Sequence, residues 1–150
     1  MNNIDQPLVV AISSRTLFNM NDSHQTFVQQ GVDAYARYQI QHEDTPLEPG
    51  EAFHLIRKLL NLNTLSGQKL VEVILLSRNS GDSGLRVFNS IRHYGLDIER
   101  AAFCGGRDPW RYVKAFNGQL FLSMDDNDVR HALNLGVAAC LLYTSDAADD

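Results

Sequence analysis

Four short polar turns hold most of the residues that could do chemistry: Ser13-Ser14-Arg15, Ser77-Arg78-Asn79-Ser80, Gly105-Gly106-Arg107 and Ser123-Met124-Asp125-Asp126. Each follows an apolar run. Together with Lys114, a helix away, they offer arginine forks, a point-charge amine, hydroxyls and backbone N–H groups. Phosphate recognition uses this combination, with amides at helix N-termini completing it. Ser13, Ser14, Arg15, Ser77, Arg78 and Lys114 are therefore the expected phosphate or nucleotide contacts. Arg15 reads equally well as half of a surface ion pair. SRNSGDSG (77–84) is not a P-loop, because it lacks the lysine and the glycine spacing; Ser80 and Asp82 read there as helix caps. Asp125 and Asp126 follow a strand and could hold a cation such as Mg²⁺. They lie past the strand end, where carboxylates favour a helix N-terminus instead.

The other reactive side chains form no constellation. The histidines at 24, 42, 54, 93 and 131 sit on helices or their ends without ligand spacing. Cys104 reads as a small buried hydrophobe. Trp110, Tyr35 and Tyr38 read as core or interface aromatics.

The turns need a frame that brings them to one place. LVVAI (8–12) and LVEVILL (70–76) are apolar and rich in β-branched residues, as strands buried on both faces are. Shorter strands are expected at Ala101–Cys104, Gln119–Leu122 and Gly136–Ala139. Between them the apolar spacing predicts helices over His24–His42, Glu51–Asn63, from the SRNSGDSG turn to Tyr94, Trp110–Phe116 and Asp125–Leu135. Asn21-Asp22-Ser23 reads as a helix start, and Gly95 as a helix stop. HEDTPLEPG (42–50) reads as a loop. Alternating strands and helices imply an α/β fold with a parallel sheet covered on both faces, its ligands at the carboxyl ends of the strands.

Composition narrows the function classes. The chain has 150 residues, 44% hydrophobic and 21% charged, with a net charge of −5. That suits one globular domain and argues against a nucleic-acid polymer as partner, which wants a basic face. No apolar run reaches the ~20 residues of a membrane span, and MNNIDQP lacks the pattern of a signal peptide. Two cysteines build no disulfide framework. A reduced cytoplasmic setting is expected.

CLLYTSDAADD (140–150) resembles the translation of a transposon-type sequencing adapter. On that reading residues 140–150 are not native, Cys140 is no real cysteine, and 1–139 is the genuine domain.

AISSRTLF, QGVDAYARYQIQHEDTPLEPG, VILLSRN, FNSIRHYGLDIERAAFCGG, YVKAF and LFLSMDD together resemble the cytosolic type I 5′-nucleotidases. The likeness runs from Leu8 to Ala139, and its most specific parts are the HEDTPLEPG loop and the NSIRHY segment. The resemblance implies a three-layer, Rossmann-like domain of the haloacid-dehalogenase type. It implies hydrolysis of nucleoside 5′-monophosphates with Mg²⁺, through an aspartate nucleophile and a second aspartate as acid and base. Aligned on Leu17-Phe18, those positions carry Ile12 and Ser14; shifted by one residue, they carry Ser13 and Arg15. Neither pair does that chemistry. Ser77 matches the family's phosphate-binding hydroxyl and Lys114 its lysine, while the metal-binding acids align with Ser123-Met124. The expectation is a first, degenerate copy of a duplicated domain, without catalytic residues or a metal site of its own, whose partner is a catalytic repeat beyond it. A nucleoside monophosphate, a nucleotide effector or a second copy of the chain are further expected partners. The alternative is a non-catalytic nucleotide-binding or scaffolding module.

Overall fold

The computed structural model describes residues 6–143. Its central sheet is built from the apolar runs: β1 (Leu8–Ser13), β4 (Val71–Ser77), β5 (Arg100–Phe103), β6 (Leu120–Ser123) and β7 (Ala138–Leu141). Two further short strands, β2 (Phe18–Asn19) and β3 (Glu48–Pro49), pair antiparallel outside it. The helices are α1 (Ser14–Leu17), α2 (Asn21–Gln30), α3 (Val32–Gln41), α4 (Phe53–Ser66), α5 (Leu85–His93) and α6 (Asp126–Asn134), with a 3₁₀ turn at Pro109–Tyr112.

The five strands are all parallel, in the order β5-β4-β1-β6-β7. The chain winds outward from β1 in one direction, then returns and winds outward in the other. The order therefore reverses between β1 and β6, the crevice where such sheets bind ligands.

Strand alternation sorts the apolar side chains into two cores. Val10, Ile12, Val73, Leu75 and Leu122 face one side and pack with Phe53, Ile56 and Leu60 of α4 and Val87 and Ile91 of α5. Val9, Ala11, Ile74, Leu76 and Phe121 face the other and pack with Val113, Ala132 and Val137. Helix, sheet and helix make three layers, as the α/β reading requires. Val9 to Ile12 of β1 are buried, and Val10, Ala11 and Ile12 are sealed completely.

Several boundaries differ from the expected ones. The long helix over 24–42 is two helices, because Gly31 takes φ 92° and ψ −176°. That conformation is almost reserved for glycine and cannot continue a helix. The expected helix over 110–116 is only a 3₁₀ turn followed by hydrogen-bonded turns. Helix α2 starts at Asn21 without a side-chain cap; Ser23 Oγ instead donates to the Met20 carbonyl at 3.0 Å. The last strand lies at 138–141 rather than 136–139, since Gly136, at φ 80°, still closes α6. Residues 144–150 of the adapter-like stretch lie outside the described residues. The stop after α5 is as expected: Leu96 N–H bonds the Ile91 carbonyl and Gly95 N–H that of Arg92, both at 3.1 Å, which makes a Schellman motif.

Candidate functional site

At its carboxyl end β1 turns directly into α1, which carries Ser14 and Arg15. Ile12, the last sealed residue of the strand, points into the core shared with α4 and α5. Ser13 and Thr16 hydroxyls bond one another. Ser14 Oγ lies 2.9 Å from Ser77 Oγ at the end of β4, and both are buried. The structure thus brings together two of the expected hydroxyls from positions 63 residues apart. Ser77 Oγ also accepts the Asn79 N–H at 3.2 Å.

Asn79 ends a chain of side-chain hydrogen bonds. The buried Arg86 donates to Gln39 Oε1 at 3.2 Å, Gln39 donates to Tyr35 OH at 3.1 Å, and Tyr35 OH donates to Asn79 Oδ1 at 2.8 Å. The Asn79 amide nitrogen is buried and has no partner among the described residues. Burial first, against the hydrogen bonds of Gln39 and Asn79, keeps the Tyr35 phenol above its ordinary pKa.

The arginines divide. Arg15 is exposed and lines a small cleft of about 60 Å³ with Asn19, Asn21, Gly50, Glu51 and Met124. Burial and then the charge of Arg15 hold the His24 imidazole below its usual range. Arg78 is committed elsewhere. Its Nη2 donates to both oxygens of Asp128 at 2.8 Å, with Asp108 at 3.3 Å and Asp125 at 3.6 Å. Burial works against the guanidinium charge, but Asp128, Asp125 and Asp108 outweigh it and raise the Arg78 pKa. Asp128 is only 3% exposed, and burial lifts its carboxyl above the ordinary range despite Arg78.

Asp125 caps α6, its side chain accepting the Asp128 N–H at 3.0 Å. Asp126 pairs with Arg130 at 2.9 Å on the outer face. Asp125 is thus the cap of α6, while Asp126 lies in its first turn without a cap hydrogen bond. Ser80 and Asp82 side chains bond each other, and Asp82 also accepts the Ser83 N–H at 3.0 Å. Lys114 is not at this end of the sheet. It lines a recess of about 580 Å³ with Gln6, Val9, Gln119 and Val137, at the amino ends of β1, β6 and β7. Five residues of chain, roughly 16 Å at ~3.3 Å per residue, run from Val9 in that recess to Ser14.

Sequence reasoning missed Asp108, Asp128, Asn79 and Thr16. The signal for Asp128 was its place in the first turn of α6, three residues after a capping aspartate. Asn79 lies inside one of the strand-end turns, but nothing local marked its amide as buried, and nothing marked Asp108.

Chemically the turn can hold a polar or anionic group through hydroxyls, the Asn79 amide and Arg15. β1 carries no carboxylate, and among the described residues no basic side chain hydrogen-bonds Ser14 or Ser77 to activate either. A Mg²⁺ ion needs near-octahedral oxygens at 2.0–2.1 Å. Among the described residues no three His, Cys, Asp or Glu side chains are grouped to hold a metal. The acids that do approach each other, Asp108, Asp125 and Asp128, converge on the Arg78 guanidinium. These residues do not fit the ion.

The family model described as 5′-nucleotidase matches residues 1–150. The chain belongs to the 5′-nucleotidase family. It is 34% identical over 149 residues to human cytosolic 5′-nucleotidase 1B, an alignment covering 95% of this chain and 24% of that protein. The chain therefore spans about a quarter of the length of the curated relative it matches. That relative is named as cytosolic, and no helix among the described residues is long and apolar enough to cross a membrane.

Within this nucleotidase-family chain, the two most specific stretches of the resemblance are in physical contact. The NSIRHY segment on α5 straps down the HEDTPLEPG loop. Asn89 donates to the Glu43 carbonyl at 3.0 Å, Ser90 Oγ accepts the Leu47 N–H at 2.9 Å, and Tyr94 OH donates to the Leu47 carbonyl at 2.7 Å. The loop's far end, Gly50, bonds the Leu17 carbonyl at 2.8 Å. The loop so joins α5 to the segment that leaves β1.

Proposed function

We propose that this chain is the non-nucleophilic domain of a nucleotidase acting on nucleoside 5′-monophosphates, which supports a catalytic domain rather than cleaving phosphate itself. The observation that carries the reading is the end of β1: Ile12 is sealed in the core and Ser14 is bonded to Ser77. Hydrolysis by way of a phosphoryl-enzyme needs a carboxylate there, and Mg²⁺ needs acids that are not held by an arginine. In the complete enzyme both would come from another part of the protein, and the reaction would take place in the cytoplasm. The adapter reading of residues 140–150 belongs to the same proposal, and sequencing the gene across codon 139 tests it.

The test is phosphate release from AMP or IMP by the purified chain in Mg²⁺. No steady release is expected. Steady release abolished by Ser77→Ala would overturn the proposal.

The buried, unpartnered Asn79 amide favours a second reading, a nucleotide effector held at the strand ends by Ser13, Ser14, Ser77, Asn79 and Arg15. Calorimetric titration with AMP, ADP and GTP checks it: saturable heat lost in Arg15→Ala supports the effector site, and flat titrations with all three remove it.

A further inference from the structure

Arg78 stands where three strand-end segments meet. It follows β4, Asp108 follows β5, and Asp125 and Asp128 open the helix after β6. The backbone fixes it there, its carbonyl accepting the Gly106 N–H at 2.7 Å. One nitrogen of its fork lies 2.8 to 3.6 Å from oxygens of three carboxylates. Carboxylate oxygens are the donors a divalent cation takes, yet among the described residues these three acids are not grouped to hold one. The point they face is filled by the Arg78 side chain.

We propose that Arg78 is the resident cation of this cluster, standing in place of a divalent ion, so that these strand ends take up no Mg²⁺ and the domain folds without it. Asp128 is the carboxylate that demands a cation, because it is sealed from water and a buried unpaired charge is costly. A single guanidinium nitrogen, Nη2, meets both of its oxygens at 2.8 Å, and the delocalised charge of arginine keeps that cation permanently in place. Asp125 is shared: one oxygen caps α6 through the Asp128 N–H, and the other faces Arg78. Asp108 and Asp125 side chains are 46% and 43% exposed, so water screens the two charges that Arg78 leaves incompletely balanced. Asp126 is turned away to Arg130 and takes no part. The inference shares the arginine-held acids with the proposed function, but its readout is ion uptake and not phosphate release, so either can fail without the other.

Mn²⁺, read by its free-ion electron paramagnetic resonance signal, is the probe. The wild-type chain should show no stoichiometric uptake, and its Tm should be the same in EDTA and in millimolar Mg²⁺. Arg78→Ala should gain one Mn²⁺ per chain, bound at least roughly tenfold tighter than by wild type. The double variant Arg78→Ala with Asp128→Asn should lose it again. One Mn²⁺ bound per wild-type chain and abolished by Asp128→Asn would overturn the proposal. So would an Arg78→Ala chain that folds as well as wild type in EDTA and still takes up no Mn²⁺. The wild-type arm decides even where Arg78→Ala fails to fold.

Discussion

Asp128 and Arg78 form the pair whose electrostatics are most exposed to test. Arg78→Met leaves the sealed Asp128 without its partner. Because the Arg78 side chain is 41% exposed, the expected loss is at the low end for a broken buried pair, about 2–3 kcal/mol by denaturant unfolding. The pH dependence has an unusual sign for an acid. Burial raises the folded Asp128 pKa above the unfolded value, so between the two the folded chain holds more protons. Stability contributed by this group is therefore full below the ordinary aspartate range and falls as pH rises through the folded pKa. Arg78→Met should push that pKa higher still, which a carboxyl NMR titration of Asp128 would read directly. A folded Asp128 titrating at or below ~4 in the variant contradicts the assignment. Ile12→Asp tests the end of β1 in the same manner. It restores a carboxylate to the aligned nucleophile position, but in a sealed core position, and should cost about 3 kcal/mol or more without yielding phosphate release.

At the scale of elements, the strap between α5 and the 42–50 loop and the glycines beside it set the geometry around the strand ends. Tyr94→Phe removes one hydrogen bond to the Leu47 carbonyl and should cost about 1 kcal/mol. Ser90→Ala should cost more, since Ser90 Oγ is fully buried and its loss leaves the Leu47 N–H without a partner. Amide hydrogen exchange at Leu47 would separate the two: faster in Ser90→Ala, little changed in Tyr94→Phe. Gly50 is required for close approach. A Cβ there would meet the Thr16 carbonyl oxygen at 2.7 Å and backbone of Leu17 and Phe18 within 2.9 Å. Gly50→Ala should therefore push β3 away from α1 and β2 and cost about 1–3 kcal/mol. Gly31→Ala meets open space but a forbidden backbone, and should cost a similar ~1–3 kcal/mol through strain alone. A Tm unchanged by either substitution would contradict these readings.

Across the whole molecule, one parallel sheet carries two separate cores, and all of its turns with hydroxyl and arginine chemistry lie at the carboxyl ends. Lys114 lies at the other pole, so Lys114→Ala should leave nucleotide titrations at the strand ends unchanged; a lost or weakened isotherm would show that the pole assignment fails. The five strands of the parallel sheet, their alternation with helices, the α5 stop and the α/β class were legible in the sequence, because apolar period, length and glycine placement act locally; the short β2–β3 pairing was not. The sequence also carried the family resemblance and the absence of a carboxylate where Ile12 and Ser14 stand. It did not determine the break at Gly31, since a glycine inside a periodic run is compatible with a continuous helix until its φ is known. Nor did it determine which polar groups meet. Ser14 with Ser77, Tyr35 with Asn79, and Arg78 with Asp108, Asp125 and Asp128 are pairs that only strand order brings together. Seen along the chain, Arg78 was a free cation suited to phosphate; once β4 lies between β1 and β5, it faces three carboxylates. Tertiary structure decided this because ion pairing depends on distance through space, and the sheet order that sets those distances is a property of the packed whole.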